Sequence, residues 1–419
     1  MKLKNLIKPI RLIPILLAAA VLAAGCGKDD AVTFSAEIQE VSENRILVET
    51  ISHSGFDKAW VDLHEAKYDF DPSPGQVVEI TIRPEIRESD PVQVTALKLV
   101  YKGEAQRKVS DYFPIRENTK YVYEGKGNEF AGFDVYTEFT SEDRVQQRIE
   151  NGGSVIARVF RVKDGELARV LTKGETYYRE NLLNQKENEK EVLLREPLEK
   201  GNSWSLEDGS ERTITGLSTE VKTPIGEFTA IEVVTEGSNG TSVDYYVRDI
   251  GLVKTIFRTE GLEISSTLKS IEEDQERAER IRFYYPDMKT GEIAYEESEV
   301  VWHTNDETAK VLEEAYKGTV NETFGTVFST GTAIRSLSRD EENRVRLDLN
   351  RAFVSEMNFG AAYEALILQC AAATFGNYYN SDQVILTIEG KPYESGHIKM
   401  KEGESIPVRL EGIEEEKTD

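Results

Sequence analysis

The sequence predicts a multidomain protein with two mainly-β N-terminal modules, a small five-stranded barrel and then a long curved antiparallel sheet, followed by an α/β domain. Three observations predict it. Apolar and polar residues alternate at period two through much of 32–271. Asn-Gly and Asp-Gly pairs recur between the alternating segments. Beyond a charged run at 272–280 the pattern changes and helical stretches enter.

The N-terminus comes first in the chain and carries an address. Lys2, Lys4, Lys8 and Arg11 form a positive head and Leu12 to Ala24 run apolar apart from Pro14, which is the order of a secretory signal over 1–25. That apolar run is about 13 residues, against the ~20 a spanning helix needs. Leu22-Ala23-Ala24-Gly25-Cys26 resembles the lipobox of bacterial lipoproteins. The resemblance implies cleavage after Gly25 and a diacylglyceryl thioether on Cys26, so the expected location is the cell membrane, lipid-anchored at its extracytoplasmic face. Two acyl chains hold stably where one is marginal. A plain secreted protein whose cleavage site happens to abut a cysteine is the competing reading. Residues 26–31 would form the stalk.

Composition narrows the partners. The formal charge is −25, and removing the four basic groups of 1–25, which has no acid, leaves −29. Such a field repels phosphate backbones, which speaks against nucleic acid as a partner, and it disfavours a polybasic second membrane contact. Cys26 and Cys370 are the two cysteines, so a lipidated Cys26 leaves no internal disulfide.

Over 32–104, Val32, Phe34, Ala36 and Ile38 alternate with polar residues. Further strands are expected at 45–51, 58–63, 76–83 and 92–101. Their count and spacing suggest an oligonucleotide/oligosaccharide-binding-type barrel. His53 and His64 lie here without a Cys or further His nearby, and surface histidines explain them better than a metal site.

Over 111–271, turns at Asn151-Gly152, Asp164-Gly165, Asp208-Gly209 and Asn239-Gly240 predict a meander of about a dozen strands. Its aromatics, Tyr121, Tyr123, Phe130, Phe133, Trp204, Phe228 and Tyr246, are expected as core more than as the lining of a ligand pocket. The region's ends, Tyr112-Phe113-Pro114 and Asp244-Tyr245-Tyr246-Val247 with Ile250-Gly251-Leu252-Val253-Lys254, resemble those of uncharacterised lipoprotein domains. Ser266-Thr267-Leu268-Lys269 and Lys289-Thr290-Gly291 match short signatures of penicillin-binding enzymes. There the serine opens a helix, whereas Glu263 to Ile271 alternates like a strand, so both are chance matches.

The run at 272–280 reads as a linker with a solvated helical turn. A helix capped by Asp306 is expected to reach about Lys317, and a long helix to span Asn358 to Phe375. Residues 409–419 read as an acidic, disordered tail. Four segments come in order here: Phe283-Tyr284-Tyr285-Pro286-Asp287; Val345-Arg346-Leu347-Asp348-Leu349-Asn350 before Phe353; Gly360-Ala361-Ala362-Tyr363-Glu364-Ala365-Leu366; and Val384-Ile385-Leu386-Thr387-Ile388-Glu389-Gly390-Lys391-Pro392. They resemble the GerMN domain of sporulation and spore-germination lipoproteins over about 281–408. The resemblance implies a small α/β unit with helices on one face of a sheet, similar to ring-building modules of the channel between mother cell and forespore, without known catalytic residues. A sporulation member of that family carries two copies, whereas one is visible here.

The long helix is apolar almost all round, so it is either covered on two sides or awaits a partner. Cover by the sheet and the preceding helix is the expected case. Cys370 within it should be buried and unreactive. His303 and His397 form no cluster, and no phosphate loop, metal triad or nucleophile elbow stands out, so neither enzyme chemistry nor a cofactor is expected. The expected function is a non-enzymatic, lipid-anchored assembly or binding factor of sporulation, germination or the envelope. Its expected partners are the membrane through Cys26, and envelope proteins or a second copy through the GerMN-like domain. The alternative is a carrier or receptor that holds a lipid, glycan or peptide in the curved sheet.

Overall fold

A computed structural model describes residues 31–52, 54–87, 89–318, 322–357 and 360–415. Cys26, the signal segment and His53 lie outside them. The chain divides into two compact units, Met1–Ala105 and Gln106–Asp419.

In the first unit, β1 (Val32–Ser42), β2 (Arg45–Thr50), β3 (Lys58–Asp62), β4 (Gln76–Ile82) and β5 (Val92–Glu104) close a barrel in the order β1-β2-β3-β5-β4. β3 runs parallel to β5 and every other pair is antiparallel. The alternation read from sequence is the inside-outside alternation of a small barrel. Phe34, Ala36, Ile38, Ile46, Val48, Ile80 and Ile82 fill its interior.

The second unit opens with a 3-10 turn (Val109–Tyr112) and a twelve-stranded sheet. Its strands are β6 (Lys120–Lys126), β7 (Phe133–Thr140), β8 (Arg144–Glu150), β9 (Val155–Lys163), β10 (Glu166–Lys173), β11 (Glu191–Arg195), β12 (Ser203–Ser205), β13 (Glu211–Thr223), β14 (Gly226–Gly237), β15 (Gly240–Val247), β16 (Gly251–Thr259) and β17 (Leu262–Glu272). Two antiparallel meanders, β6 to β11 and β12 to β17, join where β17 pairs with β6, so the edges are β11 and β12. The sheet curves until those edges meet through side chains: Trp204 Nε1 and Arg212 Nη1 donate to the Val192 carbonyl at 3.0 and 2.8 Å. At the β9–β10 hairpin Asp164 (φ 52) and Gly165 (φ 75) both take left-handed conformations, as a two-residue type I′ turn demands.

The α/β part follows without a helical linker. β18 (Arg277–Pro286) already includes Arg277 to Arg280, because this charged run alternates and pairs with β19 (Ile293–Trp302). α1 (Thr308–Lys317), β20 (Ile334–Arg339), β21 (Val345–Leu349), a short α2 (Ala352–Ser355), α3 (Ala361–Tyr379), β22 (Gln383–Ile388) and the two-residue strands β23 (Lys391–Pro392), β24 (Ile406–Pro407) and β25 (Glu414–Glu415) complete it. Asp306 does not cap α1; its Oδ2 accepts from the His303 backbone N–H at 2.7 Å, and Glu307 is the residue before the helix. The acidic tail is not free through Glu415, because β25 pairs in parallel with β19 and Leu410 and Ile413 pack on the core. The fold is thus mostly β, with long antiparallel sheets, few helices and a terminal α/β domain.

Candidate functional site

In the α/β domain the polar residues of the four ordered segments fasten turns. The Asp287 carboxylate accepts from the Lys289 N–H and the Thr290 hydroxyl, both at 2.8 Å. Asp348 Oδ1 accepts from the Thr387 hydroxyl and the Gly390 N–H, both at 2.7 Å, tying the end of parallel β21 to the turn after β22. Asn350 bridges the Ala333 N–H and the Gly331 carbonyl. The apolar members, Phe283, Tyr284, Tyr285, Leu347, Phe353 and Leu386, are buried in one aromatic-rich cluster with Tyr316 and Phe375.

Helix α3 lies in that cluster, and every residue from Cys370 to Gly376 is buried. It packs on β18 to one side and on β21, β22 and β24 of the five-stranded sheet. The cover that sequence assigned to the preceding helix is thus supplied by a second sheet. Its polar groups are satisfied: Thr374 Oγ1 accepts from the Tyr284 N–H at 3.0 Å and Glu364 from the Tyr393 hydroxyl at 2.8 Å. Burial pushes the Cys370 thiol far up, which suits a small hydrophobe and not a nucleophile.

The domain is locked to the twelve-stranded sheet by Arg179, which is 1% exposed. Its guanidinium sits over the rings of Phe139 and Trp302 at 4.2 and 5.2 Å and donates to the carbonyls of Glu138 and His303. Thr304 and Asn118 exchange hydrogen bonds of 2.7 and 2.8 Å beside it. None of these residues stands out in the sequence, because an arginine in a loop looks solvated until both walls exist.

Two of the concave places among the described residues bear on ligand binding. On the barrel, a groove of about 350 Å³ runs past Trp60, Asp62, His64, Arg87 and Gln93, with the Arg45 guanidinium 4.3 Å from the Trp60 ring. His64 Nδ1 meets Asp62 Oδ1 at 2.7 Å, a local exposed pair. Among the described residues no three His, Cys, Asp or Glu converge as a metal site. Ser266 stands mid-strand in β17, donating to the Ala131 carbonyl at 2.7 Å, and Lys289-Thr290 belongs to the Asp287 turn, so neither short signature has catalytic geometry.

The second is a cleft of about 110 Å³ inside the curved sheet, lined by Tyr121, Tyr123, Phe133, Phe160, Tyr246 and Arg158. Four aromatics expected as plain core therefore border a space, Trp204 is core, and Phe130 is 48% exposed. Its volume lies below the about 150 Å³ of an enclosed engineered cavity that takes benzene, so what it encloses is a small apolar group. Arg158 was legible in principle as a guanidinium sharing the parity of Ile156 and Phe160 in an apolar strand.

Residues 282–394 match the model of the Germane family, described as sporulation and spore germination, so the α/β domain is a GerMN-like Germane domain. Similar solved structures cover parts of the chain. A Bacteroides fragilis protein of YmcC-like fold, assigned as exported, aligns at 13% identity over 39% of this chain and 99% of its own, with a TM-score of 0.26. The tandem GerMN domains of the Bacillus subtilis sporulation protein GerM align at 16% over 31% of this chain and 46% of theirs, with a TM-score of 0.25. A Parabacteroides distasonis protein assigned as a lipoprotein aligns at 16% over 38% and 98%, with a TM-score of 0.25. No curated protein matches the chain. Among the described residues no helix is long and apolar enough to cross a membrane.

Proposed function

We propose that this chain is a non-enzymatic, lipid-anchored extracytoplasmic protein that serves as an assembly or binding factor in sporulation, germination or the cell envelope. The observation that carries the reading is the Germane match at 282–394. The anchor is a diacylglyceryl group on Cys26, supported by the positive head, the short apolar run and the small residues before it. The partners are envelope proteins or a second copy, engaged through the outer strands and loops of the Germane domain, since Cys370 to Gly376 of α3 are buried.

Three measurements test it. Blocking lipoprotein processing with globomycin, or replacing Cys26→Ala, should leave an unprocessed or released protein, and unchanged mobility and fractionation would refute the anchor. Deleting the gene should impair sporulation or germination or weaken the envelope, and the full chain should self-associate or crosslink to a membrane partner. A monomer without crosslinks and without a phenotype would refute the assembly role.

A further inference from the structure

The cleft of the curved sheet has a chemical asymmetry that a filled core would not have. Its walls are aromatic and aliphatic, yet Arg158 projects among them from the middle of β9. The Arg158 Nε is buried without a hydrogen-bond partner, and the guanidinium makes no ion pair among the described residues. The side chain as a whole is half-buried, so water screens the cation only in part and the unpaired Nε leaves it under-satisfied.

The neighbouring charges compensate it only in part. Glu189 and Glu191 are within electrostatic reach of Arg158, but both are engaged by other arginines. Arg169 holds Glu189 through Nε at 3.0 Å and also pairs with Glu191, whose other oxygen takes Arg212 Nη2 at 2.8 Å. Three guanidinium groups thus face two carboxylates, and the odd one is the one in the cleft. Burial, with the like charge of Arg169, pulls the pKa of Arg158 down, as a cation compensated only in part requires. A further carboxyl, Asp244, is pushed up by burial and accepts from the Thr255 hydroxyl at 2.7 Å. Phe113, Pro114, Phe133, Ile250 and Leu252 line the same cleft and keep part of their surface exposed, which gives a solute a way in.

We propose that this cleft binds a small monocarboxylate with an apolar body, the carboxylate on Arg158 and the body between the aromatic side chains. The charge calls for one negative group, and the volume limits the body to about one ring or a few carbons. Gln147, opposite Arg158 on β8, can donate a second hydrogen bond. The site is independent of the Germane assembly role and stands or falls separately.

The test is a ligand-detected NMR titration of the purified full chain with benzoate and with benzamide, which share a shape and differ in charge. Benzoate should bind at least about ten-fold more tightly than benzamide, the scale of one charge-assisted contact. Arg158→Gln should bring benzoate down to the benzamide level while leaving benzamide binding and the circular dichroism spectrum unchanged. Equal affinities for the two probes, no binding of benzoate, or undiminished benzoate binding to the variant would overturn the site. Should Arg158→Gln fail to fold, the two probes on the unaltered chain decide alone.

Discussion

The guanidinium of Arg148 donates its Nε–H to Oε1 of Glu138 at 2.7 Å, with the two side chains only 3% and 2% exposed. Both sit on adjacent strands, β8 and β7, on the side of the sheet that meets the Germane domain. The remaining valences are filled: Arg148 reaches the carbonyls of Thr176 and Tyr178, and Gln146 donates to Glu138 Oε2. Removing one partner should therefore cost about 3–5 kcal/mol, because the other charge stays buried. Glu138→Gln and Arg148→Met, each followed by urea unfolding, should both show this loss. The double variant should recover part of it, and strict additivity would show that the pair does not act as one.

The same pair sets an acid sensitivity. Burial raises the Glu138 carboxyl, but Arg148, Arg277 and Arg179 outweigh it, so the folded carboxyl lies below its ordinary 4.5. A group depressed in this way contributes stability that is complete above its unfolded pKa and is lost as pH falls through the folded value. Unfolding free energy should thus be level in this contribution above about pH 4.5 and drop below it. In Glu138→Gln this part of the acid slope should disappear.

Arg179 ties the sheet to the Germane domain through hydrogen bonds and ring contacts. The unaltered second unit should unfold with a single transition that intrinsic tryptophan fluorescence and far-UV circular dichroism report alike. Arg179→Ala removes two hydrogen bonds and the contact with Phe139 and Trp302, at a cost of about 2–4 kcal/mol. Hydrogen exchange should then speed up at Thr304 and Asn118 before it does in β18. Uniform exchange in the variant would contradict the lock.

Cys370 should resist thiol reagents in the native protein and react once denaturant is added, since it is 0% exposed and its thiolate is disfavoured by burial. Labelling at the same rate in both states would show that α3 opens readily.

Two glycines with similar backbones separate strain from collision. Gly152 (φ 80) faces open space, whereas a Cβ on Gly127 (φ 83) would stand 2.1 Å from the Glu263 carbonyl oxygen. Gly152→Ala should cost about 1 kcal/mol, and Gly127→Ala clearly more because β6 must move away from β17. Equal melting temperatures for the two variants would refute the contact.

How much of this was readable depends on whether a strand has one wet side. The barrel and the two meanders were legible because Phe34, Ala36 and Ile38 alternate with polar residues and because Asp164-Gly165 announces its turn. β7 was not, since Val135 to Phe139 are buried on both faces, one toward the cleft and one toward the Germane domain, so Glu138 carries no periodic signal. Glu138, Arg148 and Arg179 acquire meaning only when segments distant in the chain enclose them. The Germane segments were legible for the opposite reason: their Asp287, Asp348 and Asn350 serve turns a few residues away or at the ends of neighbouring strands. Arg158 carries no periodic signal of its role, because its isolation depends on Glu189 and Glu191 being taken up by Arg169 and Arg212.

The pairing of β6 with β17 has a kinetic side. The seam joins residues 120–126 to 265–272, the first and last strands of the sheet in chain order, while every other pairing in it links consecutive strands. Hairpins such as β9–β10 can form as soon as they are made, but the seam must wait for nearly the whole sheet, and closing such a span is the slow step of a non-local fold. A chain emerging N-terminus first would expose a finished β6 to β11 meander and an unfinished β12 to β16 one until Leu262–Glu272 arrives, and in that interval the unpaired edge of β6 is the surface most in need of protection.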